Sequence, residues 1–123
     1  MDEARARGEA LRYEMLGNNY REKVSGDTNP VSADLRALSD VFCWGTVWSR
    51  PQLSLRDRSL ASLSMLVARH QMRAFAIEIA GALHNGVSPI EIAELILQSA
   101  VYCGIPNALE AMSVFETAAK EME

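Results

Sequence analysis

Cysteine is nearly missing from this sequence: Cys43 and Cys103 are the two thiols in 123 residues. A pair so far apart makes neither a disulfide framework nor a metal cage, and suits a reducing compartment. Aromatic residues are also few, at 7%, whereas alanine and leucine are frequent, a balance that favours helix over strand. There is no basic excess. Twelve Lys and Arg stand against sixteen Asp and Glu, a formal charge of −4, so no nucleic-acid partner is expected, because phosphate affinity needs clustered cations. No apolar run approaches the ~20 residues of a membrane span. The start, Met1-Asp2-Glu3-Ala4-Arg5, is charged where the apolar core of a secretory leader should follow. Neither a membrane contact nor a leader is expected, and the cytoplasm is the expected location. No Pro/Gly/Ser-rich linker interrupts the chain, so residues 1–123 are expected to form a single domain. No glycine-rich loop follows a strand, which removes nucleotide cradles.

What is present is helical patterning. Residues 2–16 form a charged helix that Gly17 should stop with a positive φ. The polar stretch Asn18 to Pro30 reads as a surface loop or arm. Ser32 is placed to cap a second helix, in which Leu35, Leu38, Val41/Phe42 and Gly45 recur at helical spacing. Arg50-Pro51 ends it, since the residue before proline leaves the helical basin. Ser54 should cap a third helix with Leu60, Leu63, Leu66 and Val67 inside, and Arg69-His70-Gln71 marks a turn. A fourth helix runs to Asn85-Gly86. Ser88-Pro89-Ile90-Glu91 then carries a cap, a proline at the first helical position and a glutamate three residues on. The fifth helix ends at Gly104, and Pro106 opens a sixth. The expected fold class is all-α, a six-helix bundle. The fourth and fifth helices are apolar over more than one face, which a small bundle cannot cover. A homo-oligomer buries the excess.

The chemistry concentrates in a few places. In Ala74-Phe75-Ala76-Ile77-Glu78-Ile79-Ala80-Gly81-Ala82-Leu83, Glu78 is the one polar side chain. A buried carboxylate is costly, so it should be paired, protonated or turned to a polar cavity. A structural ion pair with a nearby arginine, or a position at the exposed edge of the helix, would satisfy the same residue. Trp44 and Trp48, four apart on a helix, should make one aromatic wall, either as core or against a ligand. Arg50 or Arg58 could hold a carboxylate in a bidentate pair. His84 lies near a helix C-terminus, where the dipole favours an imidazolium, and His70 lies in a turn open to water. Neither histidine has a second ligand at metal-binding spacing. Cys43 and Cys103 read as small buried hydrophobes.

With these residues in view, the chain resembles the carboxymuconolactone decarboxylase family, the relatives of alkylhydroperoxidase D, along nearly its whole length. The resemblance rests on Arg12-Tyr13-Glu14-Met15-Leu16-Gly17, on Trp44-Gly45-Thr46-Val47-Trp48-Ser49-Arg50-Pro51, and on Arg58-Ser59-Leu60. It continues through Asn85-Gly86-Val87-Ser88, Glu91-Ile92 and Leu97-Gln98 to Val101-Tyr102-Cys103-Gly104-Ile105-Pro106. The two strings Trp-Gly-x-x-Trp-x-Arg-Pro and Tyr-Cys-Gly-x-Pro belong to the decarboxylase branch. The resemblance implies an all-helical fold assembled as a trimer or hexamer, with a small-molecule pocket near the subunit interface and no cofactor. It implies a lyase that removes CO2 from a carboxylated unsaturated lactone. Glu78, Arg58 and Arg50 are the implied catalytic residues, and Trp44, Trp48, Ser59, His84 and Tyr102 the implied substrate contacts.

The sequence departs from the family pattern where the chemistry sits. The family usually has a histidine eight residues before the glycine of its Asn-Gly-Val turn, and Glu78 stands there. The hydroperoxidase branch has two cysteines three apart, and their positions hold Gln71 and Ala74. Gln52 replaces a usual glycine, and His84 a usual asparagine or arginine. Three readings follow: a decarboxylase with Glu78 as acid/base; an isomerase, cyclase or dehydratase of secondary metabolism on the same fold; or a non-catalytic oligomeric binder of small molecules.

Overall fold

A computed structural model describes residues 2–25 and 29–122. Among the described residues there is no strand; six α-helices and one wider helical segment account for most of the chain, the all-α class expected. They fall into two compact units, Met1–Ser54 and Leu55–Glu123.

The first unit begins with α1, Asp2–Ser25, which breaks at Gly17 (φ 80°, ψ 177°). That positive-φ, extended backbone is reached readily only by glycine. Helix then resumes through Ser25, so the loop expected from Asn18 onward is wrong for residues 18–25; residues 26–28 lie outside the described residues. The cap of α2, Pro30–Ser39, is Asn29 rather than Ser32. Its side chain accepts from the Val31 N–H at 2.9 Å, and Pro30 takes the first turn, where a missing N–H costs nothing.

From Asp40 to Trp48 the chain widens into a π-helix. In such a segment backbone bonds run i→i+5, and π segments are frequent near functional sites. The Thr46 hydroxyl donates across the same five-residue step to the Val41 carbonyl at 2.6 Å. Helix α1 packs on this segment through Gly8 and Gly45, both buried. A Cβ on Gly8 would run into the Asp40 carbonyl oxygen, and one on Gly45 into that of Ala4. The Gly45 carbonyl accepts from Arg7 (Nη2 2.7 Å, Nε 3.0 Å) and from the Ser49 hydroxyl at 2.6 Å. Beside this contact, Arg12 and Asp40 form an ion pair at 2.9 Å with side chains 5% and 3% exposed. Burial raises the Asp40 pKa, against the pull of Arg12.

The second unit is a four-helix assembly: α3 (Leu55–Ala68), α4 (Met72–His84), α5 (Pro89–Cys103) and α6 (Ile105–Glu121). Helix α3 packs on α4 and α5, and α6 on α5 and α4. Leu63 and Val67 of α3, Phe75 and Ile79 of α4, Ile92 and Ile96 of α5, and Ala111 and Phe115 of α6 meet in one core with Val87. The capping box at the start of α5 is present in full: Ser88 Oγ accepts from the Glu91 N–H at 3.1 Å, and Glu91 Oε1 accepts from the Ser88 N–H at 2.9 Å. Arg56 of α3 pairs with the same glutamate. The turn between α3 and α4 carries His70 at φ 57°. His70 is exposed as expected, yet its ring also meets Asn107 and lies 3.0 Å from Glu110 on α6. None of the described helices is long and apolar enough to cross a membrane.

Candidate active site on the α3–α4 seam

The facing sides of α3 and α4 are apolar except along one line. Ser59 and Ser62 lie one turn apart on α3, and Glu78 and Asn85 two turns apart on α4 and its cap. They meet in pairs. The Ser62 hydroxyl donates to Glu78 Oε1 at 3.3 Å, and the Asn85 amide nitrogen donates to Ser59 Oγ at 3.2 Å. Ser59 is buried. Around Glu78, Phe75, Ile79 and Ala82 are buried and Gly81 adds no side chain.

Burial raises the Glu78 pKa, and the bond from Ser62, which favours the carboxylate, only partly opposes it. No charged group contributes to this shift among the described residues. The ion pair with an arginine that would have made Glu78 an ordinary structural residue is therefore not what holds it within the second unit: its partner is the Ser62 hydroxyl. A half-buried carboxyl with a raised pKa and a neutral donor holds its proton more readily than an ion-paired carboxylate does.

The other expected site residues divide between the two units. Trp44 and Trp48 stack in the first unit, ring centroids 4.9 Å apart and tilted by 36°. The aromatic wall is real, although Trp44 is core, at 7% exposure, and Trp48 is half-buried. Arg50 is exposed at the end of the π-helix. In the second unit, Arg58 is half-buried one turn before Ser62 on α3, and His84 is exposed on the last turn of α4. Tyr102 is 81% exposed and lines an open groove of about 1040 Å³ between α3 and α5, with Leu60, Leu95, Val101 and Ile105. Glu78 does not line that groove. Ser62 and Asn85 went unnoticed as partners of the seam; their spacing, three residues from Ser59 and seven from Glu78, was the available signal.

A model of the carboxymuconolactone decarboxylase family matches residues 33–117. The chain belongs to the carboxymuconolactone decarboxylase family. It is 35% identical over 115 residues to a nitrosuccinic acid decarboxylase of Metarhizium robertsii, covering 94% of this chain and 80% of that protein. It is 32% identical over 115 residues to a 4-carboxymuconolactone decarboxylase of Acinetobacter baylyi, covering 94% and 86%. Both relatives lie on the decarboxylase branch, as the Trp-Gly-x-x-Trp and Tyr-Cys-Gly-x-Pro strings implied, and the chain is an enzyme of that branch, a carboxymuconolactone decarboxylase-like lyase.

The thiols are less buried than their apolar character suggested. Cys43 is exposed and Cys103 half-buried, so neither is the fully buried hydrophobe expected. They sit in different units, on the π-helix and at the end of α5, while the redox positions hold Gln71 and Ala74. Thiol peroxidation needs an activated thiolate and a resolving partner. Incubation with a hydroperoxide and a dithiol should show no protein-dependent peroxide loss above the free-dithiol rate. A rate that vanishes in the Cys43→Ser/Cys103→Ser double variant would reverse this assignment.

Proposed function

We propose that this enzyme is a cofactor-independent decarboxylase in which Glu78 is the acid/base, acting on a carboxylated unsaturated lactone or a related compound whose carboxylate sits beside an electron-accepting group. The observation that carries this reading is the Glu78 carboxyl itself: half-buried in an apolar helix, bonded by a hydroxyl, at the position where the family has histidine. The names of both relatives fit one chemistry. In 4-carboxymuconolactone the acceptor is a conjugated lactone carbonyl, and in nitrosuccinic acid it is a nitro group. In either, the C–CO2⁻ bond breaks, CO2 leaves, and the electron pair moves onto an acceptor oxygen. The neutral Glu78 carboxyl then delivers its proton to carbon, and solvent restores it.

The raised pKa serves this sequence of events. An ionised Glu78 would repel the substrate carboxylate, and burial favours the neutral form that does not. Arg58, four residues before Ser62 and so on the same face of α3, is the cation we assign to the substrate anion. The purified protein, treated with a chelator and assayed with 4-carboxymuconolactone and with nitrosuccinic acid, should release CO2 from at least one. Turnover that requires an added metal or organic cofactor would defeat the cofactor-independent reading, and isomerisation without CO2 release would defeat decarboxylation.

We further propose that the enzyme works as a closed homo-oligomer, a trimer or hexamer. Leu97, Val101, Tyr102, Ile105 and Leu109 are each more than 60% exposed along the end of α5 and the start of α6. Val31, Leu35, Leu38 and Phe42 repeat the pattern on the first unit. Patches of this extent are unusual on soluble monomers, and a second copy of the chain is the occupant they favour. Sedimentation at micromolar concentration should give an oligomer, and Val101→Glu should shift it toward monomer. A stable monomer of the parent chain would refute the proposal.

A further inference from the structure

The hydroxyls of helix serines usually bond back to their own helix. Two in the second unit do so: Ser64 donates to the Leu60 carbonyl at 2.9 Å and Ser99 to the Ile96 carbonyl at 2.6 Å. Ser62 does not. Its hydroxyl crosses from α3 to α4 and donates to Glu78 Oε1 at 3.3 Å. Among the described residues this is the one hydrogen bond to the Glu78 carboxyl. The bond is long for O–H···O, as site hydrogen bonds often are before substrate closes them. Next to it, the bond between buried Ser59 and half-buried Asn85 joins the two helices one turn away and keeps their register.

We propose that Ser62 is the positioning residue of Glu78: its hydroxyl anchors Oε1, which leaves Oε2 as the oxygen that carries the proton to the substrate carbon. The proposal rests on the assignment of Glu78 as acid/base. During turnover the proton leaves Oε2 for carbon, and the electron pair of that O–H bond remains on the carboxylate. The negative charge is shared with Oε1, where the Ser62 hydroxyl stabilises it. Ser62 keeps its own proton throughout. Water then reprotonates Oε2, and no redox change occurs. The neighbours decide why a hydroxyl does this work. Among the described residues no charged group shifts the Glu78 pKa, and a neutral donor holds the carboxylate without lowering its pKa to that of an ion pair.

Carboxyl titration by NMR of ¹³C-labelled glutamate, with the Glu78 signal assigned by its loss in Glu78→Gln, tests this without any substrate. In Ser62→Ala the Glu78 titration should move up by about one pH unit, because a donor to the charged form is gone. The basic limb of the kcat–pH profile, on which the Glu78 proton is lost, should show the same displacement, with kcat lower by ~10-fold and KM within about threefold. Ser62→Thr, which keeps the hydroxyl, should restore both. An unmoved Glu78 titration in Ser62→Ala would overturn the bond, and a moved titration with unchanged kcat would overturn its role in positioning. A fully active Glu78→Gln would instead defeat the assignment of Glu78, so the two failures are told apart. Should Ser62→Ala melt early, Ser62→Cys tests the same point: normal titration and turnover with that weak donor in place would also overturn the proposal.

Discussion

Glu78→Gln is expected to lower turnover by ~10²-fold or more while the protein remains as stable as the parent, or becomes more stable, at neutral pH. Glutamine keeps the shape of the side chain and still accepts from Ser62, but has no titrating proton. The stability half of the expectation follows from the sign of the shift. The folded state raises the Glu78 pKa, so the protonated carboxyl is the form that folding favours. Its contribution to stability is fully present below the ordinary carboxyl range and is lost as pH rises through the raised folded-state value. Above the ordinary carboxyl range the parent therefore bears a folding cost for this half-buried carboxyl, which glutamine removes. The difference in melting temperature between variant and parent should shrink as the pH falls below ~4, where both side chains are neutral. A structural ion pair would behave the opposite way, the variant melting early at neutral pH. Full activity in Glu78→Gln would remove Glu78 from the mechanism.

The second large effect belongs to the first unit. Gly45→Ala should destabilise by roughly 3 kcal/mol, read as a drop in urea midpoint at unchanged slope. The sign is what makes this decisive. In an ordinary helix, alanine for glycine stabilises by about 1 kcal/mol. Here the added methyl meets the Ala4 and Asp40 carbonyl oxygens, which are backbone and cannot swing aside. The Gly45 carbonyl is also fixed from outside by Arg7 and Ser49. Gly8→Ala meets the Asp40 carbonyl from the other side of the same contact and should act alike. A stabilised Gly45→Ala variant would mean that α1 does not rest on the π-helix through these two glycines.

Much of this architecture was legible because local chemistry and fold agree there. Ser88, Pro89 and Glu91 announce the start of α5 by themselves, and each does in three dimensions what its position suggests. Gly17 ends the first helical run for the reason a glycine does. The errors have physical causes as well. The segment after Gly17 is polar, and polar residues carry no helical stripe to read, so its continued helix was invisible. Asn29 outranks Ser32 as a cap because Pro30 follows it, and proline is best placed at the first helical position. The π-helix has no sequence signature, since Asp40–Trp48 is too short a segment for its wider period to stand out from an α-helical one. The burial of Arg12 and Asp40 leaves no mark in the sequence, since only their mutual approach in the fold makes it tolerable. At the candidate site Glu78 stood out for being polar where all else is apolar, whereas Ser62 did not, because a helix serine usually bonds to its own backbone.

The order in which α3 to α6 pack carries a kinetic consequence. Helix α4 returns directly along α3, and α6 along α5. Each pair is joined by a short turn, around His70 in one case and at Gly104 in the other. Contacts between sequence neighbours ask little loop closure of the unfolded chain, and helical domains built this way fold in microseconds to milliseconds. The Ser62–Glu78 and Ser59–Asn85 bonds both lie inside the first of these hairpins. The Glu78 carboxyl and its Ser62 partner thus come together within one local hairpin, whose closure needs no contact from the rest of the chain.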